Sequence, residues 1–206
     1  LKPKPIVGFS DISALLIYFA ETYGWPVIHG PGLIQLAKDS ISETSQTALL
    51  SLLTEDKAAD ISLSALNQAA ETCDPIEATL TGGNLSLINI SIKDLWEIDT
   101  KNKIVILEDV NEKPHAIIRS LKYLHRIGKF KAAKAIILGD FIGDETVDWQ
   151  ADLNRYFSYF ADLIDLPVYQ TDQVGHGNIN IAFSFNRLYR ISRHAASFML
   201  PRSQTQ

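Results

Sequence analysis

Two short runs constrain this chain more than anything else in it. Ile104-Val105-Ile106-Leu107 and Ala135-Ile136-Ile137-Leu138 are unbroken apolar stretches rich in β-branched residues. Each ends abruptly, in Glu108-Asp109 and in Gly139-Asp140. A strand without apolar–polar alternation is buried on both faces, so these belong to a sheet covered by helices on each side. The sequence between and after them agrees. His115 to Ile127 carries helical periodicity and is closed by Gly128, and Trp149 to Ile164 is helical again. The expected fold class is therefore α/β.

The rest of the chain extends the pattern. Pro5 to Phe9 reads as a short central, buried strand. Ser10-Asp11 then precedes a helical apolar run, Ile12 to Ala20, stopped by Gly24 and Pro26. Val27-Ile28 is a strand running into the turn His29-Gly30-Pro31-Gly32. Residues 38–75 are polar and helical, with surface helices expected at Ser45–Leu53 and Leu63–Glu71 and a junction at Asp74-Pro75. Ile76 to Leu80 is a strand ending at Gly82-Gly83, and Asn84 is placed to cap a helix over Leu85–Ile92. Pro167-Val168-Tyr169 leads into Val174-Gly175-His176-Gly177. Ile179–Phe185 and Leu188–Ile191 read as a terminal hairpin turning at Asn186-Arg187.

Composition removes several function classes. The net charge of −5 disfavours a dedicated nucleic-acid binder. The basic stretch from Arg119 to Lys134 reads as a solvated helix face, since acids crowd the next segment. One cysteine, Cys73, excludes an internal disulfide. No apolar run reaches the roughly 18 residues of a membrane helix. No His, Cys or acidic cluster has metal-ligand spacing, and Gly82-Gly83-Asn84 lacks the Lys-Ser/Thr of a phosphate loop, so no metal or cofactor is expected. The chain starts at Leu1 and its one methionine is Met199, which reads as a processed chain or a piece of a longer one.

In open α/β sheets, sites form at the carboxyl ends of strands. Three such ends offer Ser10, Glu108 and His176, in that order: a nucleophile, an orienting carboxylate and a base. Gly8-Phe9-Ser10 between strand and helix is a partial nucleophile elbow. Gly8 leaves room for the turn, and the Asp11 backbone N–H at the helix start is one oxyanion donor. The same serine also suits a plain helix N-cap. Glu108 needs a partner, since a lone buried carboxylate is very costly, but Asp109 beside it is an equal candidate. His176 sits between two glycines that permit close approach to a substrate. His29 occupies a turn that could line the pocket. His115 and His125 on a helix and His194 in the basic tail are weaker bases.

These segments together resemble the LD-carboxypeptidases, serine peptidase family S66. Ile6-Val7-Gly8-Phe9-Ser10-Asp11-Ile12-Ser13-Ala14-Leu15 is similar to their nucleophile segment, and His29-Gly30-Pro31 to their next turn. Gly82-Gly83-Asn84-Leu85 resembles their glycine-rich link. Ile106-Leu107-Glu108-Asp109-Val110, with Glu112-Lys113-Pro114 and Arg119, resembles their carboxylate strand and helix; Leu138-Gly139-Asp140-Phe141 and Gly175-His176-Gly177 complete the set. The resemblance implies Ser10 as nucleophile, His176 as general base and Glu108 as orienter. It places Gly8, Asp11, His29, Gly83 and Asn84 at the oxyanion or substrate. It implies hydrolysis of the bond to the terminal D-alanine of murein tetrapeptides, in cytoplasmic peptidoglycan recycling, by a homodimer using no metal or cofactor. Residues 1–72 then correspond to the later part of an N-terminal Rossmann-like domain with its linker, and 73–206 to a C-terminal α/β domain with a mainly parallel sheet. Members carry roughly 100 further residues ahead of the serine, a small domain's worth. That segment holds a Gly-rich loop implied to supply the second oxyanion donor, so the present residues alone are expected to be impaired. A microcin C immunity-type peptidase of the same family, which cleaves peptidyl or aminoacyl nucleotides, shares the core motifs. Two further readings use the same residues: an α/β-hydrolase esterase, which lacks support in the missing Gly after Ser10-Asp11, and a non-catalytic peptide- or glycan-binding module.

Overall fold

The computed structural model describes residues 3–37, 40–143, 147–192 and 195–198. His194 and the end of the tail lie outside them. Four strands form the parallel centre of an eight-stranded sheet: β5 (Ile76–Asn84), β6 (Lys103–Val110), β7 (Ala135–Ile142) and β8 (Val168–Gly175). Ile104 to Leu107 and Ala135 to Leu138 are fully buried there, as their unbroken apolar character requires. Helix α6 (Pro114–Arg126) connects β6 to β7, and α7 (Val147–Asp162) connects β7 to β8. α6 starts with Pro114 in its first turn and buries Ile117, Ile118, Leu121 and Leu124 in one stripe.

The sheet is curled. β3 (Ile61–Ser62) and β4 (Ser64–Ala65) are separated by Leu63 alone, yet they pair at opposite edges, β3 on β11 (Ala195–Phe198) and β4 on β8. The two edges therefore meet across one residue. This corrects the helix expected over Leu63–Glu71. Only α4 (Gln68–Thr72) is helical, capped by Asn67, whose Oδ1 accepts the Ala70 N–H. Helix α3 (Glu43–Glu55) lies where the first surface helix was expected, capped by Ser42.

A second sheet of three strands carries the N-terminal segment. β1 (Ile6–Gly8) pairs in parallel with β2 (Val27–His29), and β2 pairs antiparallel with β9 (Phe183–Ser184). The expected C-terminal hairpin does not form. β9 joins the small sheet, while β10 (Leu188–Ser192) pairs with β5 and β11 in the large one. The turn at Asn186, with a φ of 58°, thus passes the chain from one sheet to the other. Among the described residues β1 stands at one side of this sheet, with Ile6 and Val7 half-buried. Helix α1 (Ser13–Tyr23) follows it and buries Leu16, Ile17 and Ala20 in the common core.

Candidate active site

The large sheet supplies two of the three expected groups. Near the end of β6 one residue, Glu108, stands opposite two of β7, Gly139 and Asp140. At the same level the β7–β8 ladder also shifts, between Leu138 and Asp140. Such irregularities re-aim side chains and interrupt pairing. Gly139 permits the crowding, because a Cβ there would lie 2.6 Å from the Val174 carbonyl oxygen and 3.2 Å from Glu108 Cβ. The result is that Glu108, buried and 0% exposed, meets the ring of His176 just past the end of β8. His176 Nδ1 and Glu108 Oε2 are 2.6 Å apart. His176 Nε2 is buried and has no hydrogen-bond partner among the described residues.

A second histidine approaches Glu108 from the small sheet. His29 ends β2, is fully buried, and stacks on Phe183 at 4.9 Å between centroids. Its Nε2 lies 3.8 Å from Glu108 Oε1, beyond hydrogen-bond length but within electrostatic reach. Burial pushes the Glu108 carboxyl upward. The hydrogen bond from His176 and the proximity of His29 outweigh that, and hold it below its ordinary value. Glu108 is thus kept as a carboxylate in an apolar setting. His29 is the last residue of β2 and fully buried, rather than the first residue of the expected turn.

Asp109 serves a different purpose. Successive strand residues face opposite ways, and its carboxylate accepts from Asn84 Nδ2 at 2.8 Å, the Ser86 N–H at 3.0 Å and the Ser86 hydroxyl at 2.7 Å. Asn84 Oδ1 in turn accepts the Leu87 N–H at the start of α5 (Leu85–Ile90). Asn84 and Asp109 together anchor that helix start, and the choice left open between Glu108 and Asp109 as the partner of His176 falls to Glu108. β5 continues through Gly82-Gly83 instead of ending there. A Cβ on Gly83 would lie 2.5 Å from Ser13 Oγ and 3.7 Å from the His29 ring, so the bare backbone is what lets β5 pass under α1.

Ser10 occupies a sharp bend. Phe9 is extended, and Ser10 then takes a φ of 57°, in the left-handed region, before the 3-10 turn Ser10–Ile12 leads into α1. Phe9 holds the cap position, and no side chain caps the turn, so the N-cap reading of Ser10 does not describe this geometry. A left-handed conformation in a non-glycine residue costs about 1–3 kcal/mol and persists where the surroundings impose it. It is the conformation of a strand-to-helix nucleophile elbow. Gly8 makes room, since a Cβ there would be 2.5 Å from Ile12 Cγ2. Asp11 is exposed on the turn. Gly8 is in register with His29, and the Phe9 ring packs on His176 at 4.8 Å between centroids. The elbow and the base therefore share one corner of the molecule, with no hydrogen bond joining them.

The sequence offered no task for Asp140. It stands beside His176 with its carboxyl pushed up to about 6, first by burial, then by Asp172 and Glu108. Its signal was an acid ending a fully buried strand, opposite a Gly-His-Gly turn. Among the described residues, no group of three His, Cys, Asp or Glu side chains is set to hold a metal ion. None of their helices is long and apolar enough to cross a membrane.

Comparison with known proteins assigns the family. The LD-carboxypeptidase C-terminal domain matches residues 77–191. A protein of Rickettsia conorii named as a carboxypeptidase is 36% identical over 188 residues, covering 90% of this chain and 58% of that protein. The murein tetrapeptide carboxypeptidase of Pseudomonas aeruginosa is 31% identical over 191 residues, covering 90% and 62%. The chain thus spans about three fifths of the length of these relatives. In fold, it is similar to the crystal structure of muramoyltetrapeptide carboxypeptidase from Oxalobacter formigenes, with a TM-score of 0.80 at 21% identity over 95% of this chain and 69% of that one. It is also similar to the microcin C7 self-immunity protein, with a TM-score of 0.75 at 17% identity over 96% and 68%. With the family's C-terminal domain over more than half its length, and an α/β fold shared with these structures, this chain belongs to the LD-carboxypeptidase family.

Proposed function

We propose that this chain carries the catalytic residues of a serine carboxypeptidase that releases the terminal D-alanine of murein tetrapeptides. The observation that carries the reading is the His176–Glu108 contact of 2.6 Å, with Nε2 left without a partner among the described residues and Phe9, next to the left-handed bend at Ser10, packed on the His176 ring. In this mechanism Ser10 Oγ attacks the scissile carbonyl while its proton passes to His176 Nε2. Glu108 holds the ring by Nδ1 and stabilises the imidazolium that forms. The Asp11 N–H donates to the oxyanion. Nε2 then returns the proton to the leaving amine of D-alanine. Water, activated by the same nitrogen, frees the peptide from Ser10 and restores the enzyme.

The finer parts of the reading are the place of action, the assembly and the completeness of the site. Hydrolysis of murein tetrapeptides belongs to the recycling of wall fragments in the cytoplasm, and the enzyme acts as a homodimer. The outer edge of β1 has no partner among the described residues, and Leu33 and Ile34 nearby are 84% and 71% exposed. We assign that edge to an N-terminal segment that completes the small sheet and brings the second oxyanion donor. The alternative substrate is a peptidyl or aminoacyl nucleotide; the microcin C7 self-immunity protein, similar in fold, has been solved in complex with glutamyl sulfamoyl guanosine.

The test is incubation of the protein with a murein tetrapeptide, its tripeptide product and a peptidyl nucleotide, with chromatographic detection of products. Release of D-alanine from the tetrapeptide alone is expected. Cleavage of the nucleotide conjugate alone would overturn the murein reading, and no hydrolysis by a natural-length, folded protein would overturn both.

A further inference from the structure

The mechanism above leaves one partly buried titratable group next to His176 without a task. Asp140 follows the buried run Ala135–Gly139 of β7, in register with Gly175 of β8. Both glycines that flank His176 are seated against it. Gly175 has a φ of 145°, and a Cβ there would lie 2.7 Å from the Asp140 carbonyl oxygen and 3.0 Å from Asp140 Cβ. A Cβ on Gly177 would lie 2.2 Å from Asp140 Oδ2, and the Gly177 N–H lies close enough to that carboxyl to draw its pKa down. Among the described residues, the charged groups acting on Asp140 are Asp172 on β8, Glu108 on β6 and His176 itself. The two carboxylates repel it, and the histidine attracts it.

We propose that Asp140 is a positioning residue for His176: its carboxylate holds the Gly175-His176-Gly177 turn through the Gly177 N–H, and so keeps Nδ1 on Glu108 and Nε2 turned to Ser10. This rests on the reading of Ser10, Glu108 and His176 as a catalytic triad. A charge-assisted hydrogen bond is roughly twice as strong as a neutral one, so the hold is full when Asp140 is ionised and slackens on protonation. Asp140 is raised from 3.8 to about 6. Kcat/KM therefore falls as pH drops through about 6. Stability runs the other way. A carboxyl whose folded pKa is raised contributes stability that is present below 3.8 and lost as pH rises through about 6. Asp140 thus weakens the fold at neutral pH, while a residue kept only for structure would strengthen it.

The experiment is a set of pH–rate profiles and thermal melts on the natural-length protein, with Ser10→Ala as the inactive control. Asp140→Ala is expected to lower kcat about 10²-fold at pH 8 with KM little changed, the size of effect that small misplacement of a catalytic group produces. Asp140→Asn keeps an oxygen for the Gly177 N–H. It is expected to recover only part of that loss, to about the level wild type reaches with Asp140 protonated, and to melt higher than wild type at pH 8 but not at pH 4. Asp172→Asn removes a repulsion and is expected to move the acid limb of kcat/KM to lower pH. Wild-type kcat in Asp140→Ala with Ser10→Ala inactive would overturn this inference and leave the triad standing. Should Asp140→Ala not fold, an acid limb unmoved by Asp172→Asn overturns it instead. Turnover by Ser10→Ala equal to wild type would remove the triad reading itself, and this inference with it.

Discussion

The two sheets build their halves of the site in opposite ways. At the end of the large sheet Glu108 is fully buried, and its pairing with His176 is already made. Around it, Asn84, Asp109 and Ser86 are locked by short hydrogen bonds. At the end of the small sheet, Ser10 is half-buried and bent into a costly conformation on a three-residue edge strand. The Glu108–His176 contact is held by a core. The Ser10 bend follows an edge strand whose Ile6 and Val7 are only half-buried. The contrast sets a buried, paired group against an exposed turn, and the proposed catalytic unit needs both.

The most severe effect is expected at the seam between the halves. Ser10→Ala and His176→Ala should each lower tetrapeptide turnover by several powers of ten, because triad members act as a unit. Comparable activity in either variant would mean that the two sheets do not cooperate. Glu108→Gln should be less damaging than either, by about 10–100-fold, since the amide still orients the ring but no longer stabilises the imidazolium. A Glu108→Gln enzyme as dead as Ser10→Ala would show that ionisation of Glu108, not orientation, is what matters.

Stability changes should separate the halves with opposite signs. Asp109→Ala removes the acceptor of three hydrogen bonds, one buried and two part-buried, that tie β6 to β5 and α5, and should destabilise by about 2–3 kcal/mol in denaturant unfolding. Ser10→Gly relieves the left-handed strain, and should stabilise by about 1 kcal/mol while abolishing turnover. A destabilised Ser10→Gly would show that the bend is held by contacts of the serine rather than imposed on it.

The legible and illegible parts of the sequence divide on the same line. Ile104–Leu107 and Ala135–Leu138 announced a doubly covered sheet, because burial on both faces leaves no room for polar residues. That Glu108 and His176 stand near the ends of β6 and β8 followed from topology. Pairing partners did not follow. Ile179–Phe185 and Leu188–Ile191 look like one hairpin, but alternation states that a strand is half-buried and not against what. Gly82-Gly83 looked like a stop, because glycine commonly breaks strands; here it marks the close passage of β5 beneath α1. The choice between Glu108 and Asp109 was closed to sequence, since adjacent strand residues face opposite ways and only the register says which faces inward. Ser10's φ and the approach of His29 to Glu108 are products of tertiary packing, and no local pattern encodes them.

The central claim is that Ser10 on the small sheet and His176 on the large one form one catalytic unit. A double-mutant cycle tests it most directly, with tetrapeptide turnover measured for Ser10→Ala, His176→Ala and the combined variant in the natural-length protein. If the two act together, all three variants fall to the same floor, because removing either group already disables the other. If the losses multiply in the double variant, or if Ser10→Ala alone turns over like wild type, the two sheets do not form a single site and the account is contradicted.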